Sequence, residues 1–166
     1  MKLYISILLI LLLGCKSITT TNGSPKETAS VPKYRKLKTV KGTTNDTLAY
    51  VRTSIIDRKS EYIGKELKFL LNDLELPINN YLIGSSHIRG ISPDIGLQFY
   101  PKNVVNLKIE NRTDPVILNI IWETPVPKDV VLPMVIKNKG IWTNDEKEYY
   151  GKQIVKDILL TDYKFQ

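Results

Sequence analysis

The clearest hydrophobic pattern in the chain is a row of leucines with helical spacing. Leu67, Leu70, Leu71 and Leu74 fall at positions i, i+3, i+4 and i+7, which places all four on one face of a helix. Gly64 interrupts the chain shortly before this row, so a helix is predicted to begin after it. Its single apolar stripe needs another element to pack against.

A second helix is predicted before the leucine row. Leu48, Val51 and Ile55 have the spacing of one helical face. Asp46 precedes them and is suited to the N-cap position, because its carboxylate can accept hydrogen bonds from the free N–H groups of a first turn. We therefore expect two helices at the start of the folded region.

After Pro77 the pattern changes to short runs that are rich in β-branched and aromatic residues. Turn-forming segments separate the runs, as is typical of antiparallel strands joined by short loops. The third run alternates apolar and polar residues, and the fourth is apolar almost throughout, which favours a central strand. The four predicted strands are residues 81–83, 95–100, 104–110 and 116–122.

The C-terminal region returns to helical patterns. Residues 128–138 favour a short, imperfect helix, although Pro133 inside it would cost stability. Thr143 and Glu146 have the spacing of a capping box, which predicts the start of a final helix. The apolar face of that helix is assigned to Tyr150, Ile154, Val155 and Ile158.

Together these patterns predict an α+β domain with two N-terminal helices, a four-stranded antiparallel sheet and a C-terminal helix. The helix–helix–sheet order of its first two-thirds resembles the β-lactamase-inhibitor-like folds and the small lipoproteins of outer-membrane assembly. The C-terminal helix departs from that order. The resemblance is mainly evidence about fold, and for function it slightly favours an inhibitor or immunity-type role.

The N-terminus has the features of an export signal. Lys2 supplies a positive charge, and residues 3–13 form an apolar run that is too short to cross a membrane as a helix. The run ends in Leu12, Leu13, Gly14 and Cys15, which resembles the lipobox of bacterial lipoproteins. Only Leu13 departs from the pattern, which usually has a smaller residue there.

The lipobox implies that residues 1–14 are a signal peptide, that cleavage precedes Cys15, and that lipid on Cys15 anchors the mature chain in a membrane. Lys16 follows the cysteine where many Gram-negative lipoproteins retained in the inner membrane carry Asp. The expected location is therefore the cell envelope, with the chain lipid-anchored on either the periplasmic or the outer face of the outer membrane. Cys15 is the only cysteine. Once it is acylated, the chain has no thiol for a disulfide or a metal site.

Positive charge is concentrated directly after this cysteine. The formal net charge is +7, but residues 45–166 carry 16 basic and 16 acidic residues and are neutral. Residues 15–44 are therefore predicted to be a lipidated, basic, disordered tether that reaches roughly 30 Å. It either lies on anionic lipid or serves as a soluble linker. A nucleic-acid partner is not expected, because the domain has no basic excess. The tether's basic residues are Lys16, Lys26, Lys33, Arg35, Lys36, Lys38 and Lys41.

The candidate catalytic residues are few. His87, the only histidine, follows Ser85 and Ser86, and Asp94 could orient it, but a polar turn lacks the rigidity that a nucleophile needs. His87 is therefore predicted to be a solvated loop residue. With one histidine and no free thiol, neither a metal nor a cofactor is expected.

Acidic residues leave one catalytic alternative open. Glu110, Asp114 and Glu123 would support a carboxylate-dependent envelope hydrolase if they converged in a cleft. Otherwise they form a solvated surface. The preferred hypothesis is a non-catalytic protein-binding or structural module, and an inhibitor or immunity-type protein is the more specific alternative.

Aromatic residues indicate where a partner could bind. Trp142, Tyr149 and Tyr150 are possible interface residues, whereas Trp122 is expected in the core. Adjacent helix positions point about 100° apart, so one of the two tyrosines can be buried while the other is exposed. Finally, the run of residues 46–48 resembles an acceptor for O-linked sugars in exported bacterial proteins, which makes Thr47 a possible glycosylation site.

Overall fold

The computed structural model describes residues 44–161 and 163 of the 166-residue chain. The signal peptide, Cys15 and the tether up to residue 43 lie outside the described residues, so their predictions stand untested. Within the described part, no helix is both long and apolar enough to cross a membrane.

One antiparallel sheet of four strands, flanked by helices, organises the described residues, which confirms the α+β prediction. The strands are hydrogen-bonded in sequence order, β1-β2-β3-β4, so each strand pairs with the next one along the chain. The strands are β1 (Asn80–Ile83), β2 (Ile91–Gln98), β3 (Ile117–Pro127) and β4 (Val155–Leu160). The α-helices are α1 (Thr44–Tyr50), α2 (Lys68–Asp73), α3 (Lys102–Glu110), α4 (Lys128–Asn138) and α5 (Asn144–Tyr150).

The two N-terminal helices form as predicted and bury their apolar faces. Leu67, the N-cap residue of α2, and Leu70 within α2 are fully buried. In the first helix, Val51 and Ile55 are also fully buried, but the helix changes geometry there and continues as a π-helical segment, Val51–Ile56. The prediction that Asp46 caps this helix is wrong, because α1 already begins at Thr44 and Asp46 lies inside it.

The predicted strand at residues 104–110 is wrong: these residues belong to α3. Leu107 and Ile109, whose alternation with charged neighbours suggested a strand, are both exposed. The buried residues of the segment are Val105 and Lys108, which are three apart and share one helical face. The alternation of apolar and polar residues in this segment therefore does not reflect which side chains are buried.

The prediction that the last helix continues to Ile158 is also wrong. The helix ends at Tyr150, and β4 then pairs with β3. Gly151 marks the end, because a Cβ atom there would collide with the carbonyl oxygen of Lys147. Val155 and Ile158 are both buried although they are three residues apart, since a register shift in the β3–β4 pairing places both on the core side. That spacing imitates a helix.

Other C-terminal predictions are confirmed. Residues 128–138 are helical with Pro133 inside. Thr143 and Glu146 form a complete capping box at the start of α5. Trp122 is buried in the core, as expected.

Candidate binding groove

One face of the sheet packs into the core. The opposite face is open only in part, because Gln98 and Ile117 on that face are just 5% and 4% exposed. The register places Tyr81, Leu97 and Leu118 side by side on the core face, and all three are buried. The neighbouring row, which points the opposite way, contains Gly96 flanked by Leu82 on β1 and by Asn119 on β3. Leu82 is 53% exposed although it lies within a strand. An exposed leucine on an open sheet face indicates a surface that a partner can contact.

A shallow groove of about 220 Å³ crosses this outward face. Two glycines keep it open. A Cβ atom on Gly84 would collide with the carboxylate of Asp94, and one on Gly96 would lie 3.0 Å from both Asn119 Oδ1 and Ile117 Cγ2. The groove is lined by Leu82, Ile83, Gly84, Asp94, Gly96, Ile117, Asn119, Thr161 and Tyr163.

Among the residues that the structure describes, Asp94 is the only acidic one that lines the groove. It follows the point where the β2–β3 register shifts, and the Ser92 hydroxyl bonds the carbonyl oxygens of Gly84 and Asp94, each at 3.0 Å. The Asp94 side chain is half-buried, and burial raises the pKa of its carboxyl group. Among the described residues, no hydrogen-bond donor or cation pairs with this carboxylate.

Asn119 adds a second acceptor to the groove. Its Nδ2 donates to Thr161 Oγ1 at 2.6 Å, which fixes the orientation of the amide and leaves Oδ1 beside Gly96. A carboxylate and an amide oxygen therefore share one trough with the apolar side chains of Leu82 and Ile117. Such a lining favours a ligand that donates hydrogen bonds.

From the sequence, Asp94 was a candidate only as a hydrogen-bond partner that orients His87. The structure shows no hydrogen bond between these two described residues. His87 is exposed in the loop between β1 and β2. The Ser86 hydroxyl accepts from the backbone N–H of Ile88 at 3.0 Å, which is a local turn bond. The described residues therefore show no nucleophile–histidine pair, and the prediction of a solvated His87 is confirmed.

The acids proposed for a hydrolase are distributed over α3, the loop after it and β3. Glu110 is exposed at the end of α3, and Glu123 is exposed on β3. Asp114 accepts from the backbone N–H of Val116 at 2.7 Å and thereby supports the positive φ of that residue. Across residues 44–161, no group of three or more histidine, cysteine or acidic side chains could hold a metal ion.

The aromatic residues proposed for an interface divide between core and surface. Tyr150 is fully buried between Trp122 and Trp142, with ring centroids 5.8 Å and 6.0 Å away and nearly parallel planes. It is therefore a core residue, and its proposal as an interface residue is wrong. Trp142 and Tyr149 are half-buried and pack against the core.

Glu146 is the one fully buried acid of the described domain. It accepts four hydrogen bonds: from Tyr81 Oη at 3.0 Å, Asn138 Nδ2 at 2.8 Å, the Thr143 N–H at 2.8 Å and Thr143 Oγ1 at 2.5 Å. Burial alone would raise its pKa, but these bonds outweigh burial and lower the pKa of Glu146 below its ordinary value. A carboxylate that is this enclosed and satisfied serves the structure.

Helix α4 carries a second apolar surface. Val131 is fully buried, whereas Val130, Leu132 and Ile136 face outward, and Ile136 is 75% exposed.

Thr47, the possible glycosylation site, is half-buried within α1.

The groove was missed from the sequence, but a glycine within a strand could have indicated it. Glycine inside a strand pattern often marks a place where another group must come close, and Gly96 lies at the centre of β2. Comparisons with protein-family models, with curated proteins and with solved structures found no match for this chain. The description of the groove therefore rests on its geometry. It combines a carboxylate with no partner among the described residues, an amide oxygen and apolar walls on the outward sheet face.

Proposed function

We propose that this chain is an envelope lipoprotein, anchored through Cys15, whose folded domain is a non-catalytic binding module. The outward sheet groove is its binding site. The observation that carries the proposal is the groove itself, an open and shallow trough with exposed apolar flanks and an unpartnered acidic residue. The lipobox supports the anchor, and the basic tether would let the domain reach a partner about 30 Å from the membrane.

The groove suits binding better than hydrolysis. Glycoside hydrolysis commonly needs two carboxyl groups about 5–9.5 Å apart, one of which acts as an acid and the other as a nucleophile or base. Within the described part of the chain, Asp94 is the one carboxylate that lines this groove. Glu146 is enclosed by four hydrogen bonds in the core and has no access to a substrate.

An inhibitor or immunity-type role is the more specific form of this proposal. Such proteins cover a partner's active site with a rigid surface and perform no chemistry themselves. A sheet face is suited to this because its side chains are fixed by strand pairing, so little conformational entropy is lost on binding.

Site-specific photo-crosslinking in intact cells tests the proposal. A photoreactive residue at Leu82, on the groove wall, should produce a discrete adduct in the envelope fraction. The matched control is Lys147, which is exposed on α5 away from the groove lining. The Leu82 adduct should weaken when Cys15→Ser removes the anchor. If Leu82 and Lys147 give the same adducts, or neither gives any, the groove is not the binding site.

A further inference from the structure

We infer that the groove binds a lysine or arginine side chain of a partner polypeptide, with its cationic head on the Asp94 carboxylate and Asn119 Oδ1. The inference rests on the proposed binding function and names the ligand for that site. The apolar stem of the basic side chain would lie against Leu82 and Ile117, which line the same trough.

The arrangement of acceptors favours a cation. An ionised carboxylate only accepts hydrogen bonds, and the Asn119 amide already uses an Nδ2 hydrogen on Thr161, which leaves its oxygen for a ligand. Lysine and arginine only donate hydrogen bonds. Bonds in which both partners are charged are about twice as strong as neutral ones, so a half-buried carboxylate with no partner is well suited to such a donor.

A second aspartate in the same row of the sheet shows what Asp94 lacks. The register places Asp94 beside Ile121 and Ile121 beside Asp157, so both aspartates lie in one row across β2, β3 and β4. Asp157 is paired within the chain, with its Oδ1 2.7 Å from Lys59 Nζ. No described residue plays the part of Lys59 for Asp94. Of these two aspartates in one row, only Asp94 therefore lacks a cation among the described residues.

The size and flanks of the groove favour a side chain of a polypeptide over a free small molecule. Its volume of about 220 Å³ is below the range of about 300–1,000 Å³ that is usual for small-molecule pockets. Leu82 on β1 and Leu159 on β4 are exposed on either side, at 53% and 43%. These apolar flanks extend beyond the trough and fit the surface of a polypeptide on either side of its basic side chain.

Binding of short peptides to the mature, lipidated chain in nanodiscs tests the inference. The probes are acetyl-Leu-Arg-Leu-amide and its citrulline analogue, which has almost the same shape without the charge. We expect the arginine peptide to bind at least tenfold more tightly than the citrulline peptide. Asp94→Asn should abolish this preference, and rising salt should weaken it. The matched control, Asp157→Asn, should retain it, because Asp157 already has a cation.

Four outcomes would overturn the inference. The two peptides could bind equally, or Asp157→Asn could remove the preference as fully as Asp94→Asn does. Spermidine could bind as tightly as the arginine peptide, which would make a free polyamine the ligand. Lastly, the groove could accept the peptide only after Lys36, Lys38 and Lys41 are replaced by glutamine, which would make the chain's own tether the occupant.

These failures are separate from failure of the proposed function. If the Leu82 crosslink forms in cells and Asp94→Asn leaves it unchanged, the groove binds a partner but not through a basic side chain. If no crosslink forms at all, the binding function itself fails. Melting curves of Asp94→Asn and Asp157→Asn would show that both variants are folded before their binding is compared.

Discussion

The buried carboxylate of Glu146 provides the sharpest test of how the domain is held together. It links three parts of the fold, because its partners are Tyr81 on β1, Asn138 at the end of α4 and Thr143 at the cap of α5. If Glu146 is structural, Glu146→Ala should destabilise the domain strongly.

The expected cost follows from the individual contacts. Loss of the capping interaction at α5 costs about 1 kcal/mol. The Tyr81 hydroxyl would be left buried without its acceptor, which costs about 1–3 kcal/mol. Together these predict that Glu146→Ala lowers the free energy of unfolding by about 2–4 kcal/mol. Glu146→Gln should cost about 1–2 kcal/mol, because it keeps an acceptor for Tyr81 but turns an amide donor toward the Thr143 N–H.

Urea denaturation of the purified chain, followed by tryptophan fluorescence, measures both variants, since Trp142 packs against Tyr81 and Tyr150 next to this network. The pH dependence supplies a second readout. The pKa of Glu146 is lowered in the folded state, so its stabilising effect is present above the unfolded value near 4.5 and is lost as the pH falls through the folded value. The advantage of the wild-type chain over Glu146→Gln should therefore shrink below about pH 4.5. A cost below about 1 kcal/mol for Glu146→Ala would refute this reasoning.

Three further predictions follow from burial, charge and the anchor. Leu70→Ala should lower the free energy of unfolding by about 2–5 kcal/mol, whereas Asn72→Ala on the exposed side of the same helix should change it by less than about 0.5 kcal/mol; equal shifts of the urea midpoint would show that α2 is not docked. Burial raises the pKa of Asp94, so the charged form of Asp94 destabilises the folded state at neutral pH. Asp94→Asn should therefore melt at the same or a higher temperature at pH 7, and this gain should disappear below the unfolded pKa near 3.8. A large loss of stability of Asp94→Asn at pH 7 would contradict the prediction. Cys15→Ser should abolish lipidation and leave an uncleaved precursor, as measured by mass spectrometry of the N-terminal peptide; a processed, membrane-bound variant would disprove the lipobox assignment.

Local signals in the sequence predicted part of the fold correctly. The leucine row of α2 and the capping box of α5 depend on neighbours three or four residues apart, and both formed as expected. Pro133 did not prevent α4 from forming. Local spacing was sufficient in these places because the residues that decide the structure lie within one or two helical turns of one another.

The spacing of apolar residues led to wrong predictions where a helix and a strand can produce the same spacing. Val155 and Ile158 are three residues apart and both buried, as in a helix, but the register shift against β3 produces the same burial in a strand. In α3, Leu107 and Ile109 alternate with polar residues, but both leucine and isoleucine are exposed, so this alternation does not mark the buried side of the segment. Pairing between distant strands decides such cases, and a single sequence does not record it.

The candidate groove was hidden for the same reason. Asp94, Gly84 and Asn119 come together only because β1, β2 and β3 pair in one register, and nothing in their sequence spacing relates them. The aromatic residues, which composition made prominent, instead build the core around Tyr150. Residue type alone favoured the large aromatic side chains as a binding site, whereas the groove depends on the positions of the glycines.

A double-mutant cycle across the groove measures whether Asp94 holds a basic side chain of the partner. The peptide crosslinked to Leu82 would be identified, and its lysine or arginine nearest the crosslink would be changed to glutamine, alone and together with Asp94→Asn. If Asp94 holds that cation, either single change should weaken binding at least tenfold, and the double variant should bind no more weakly than either single variant, a coupling of about 1.4 kcal/mol. If the two effects simply add, Asp94 does not contact the basic side chain, and the groove is not the binding site for that cation.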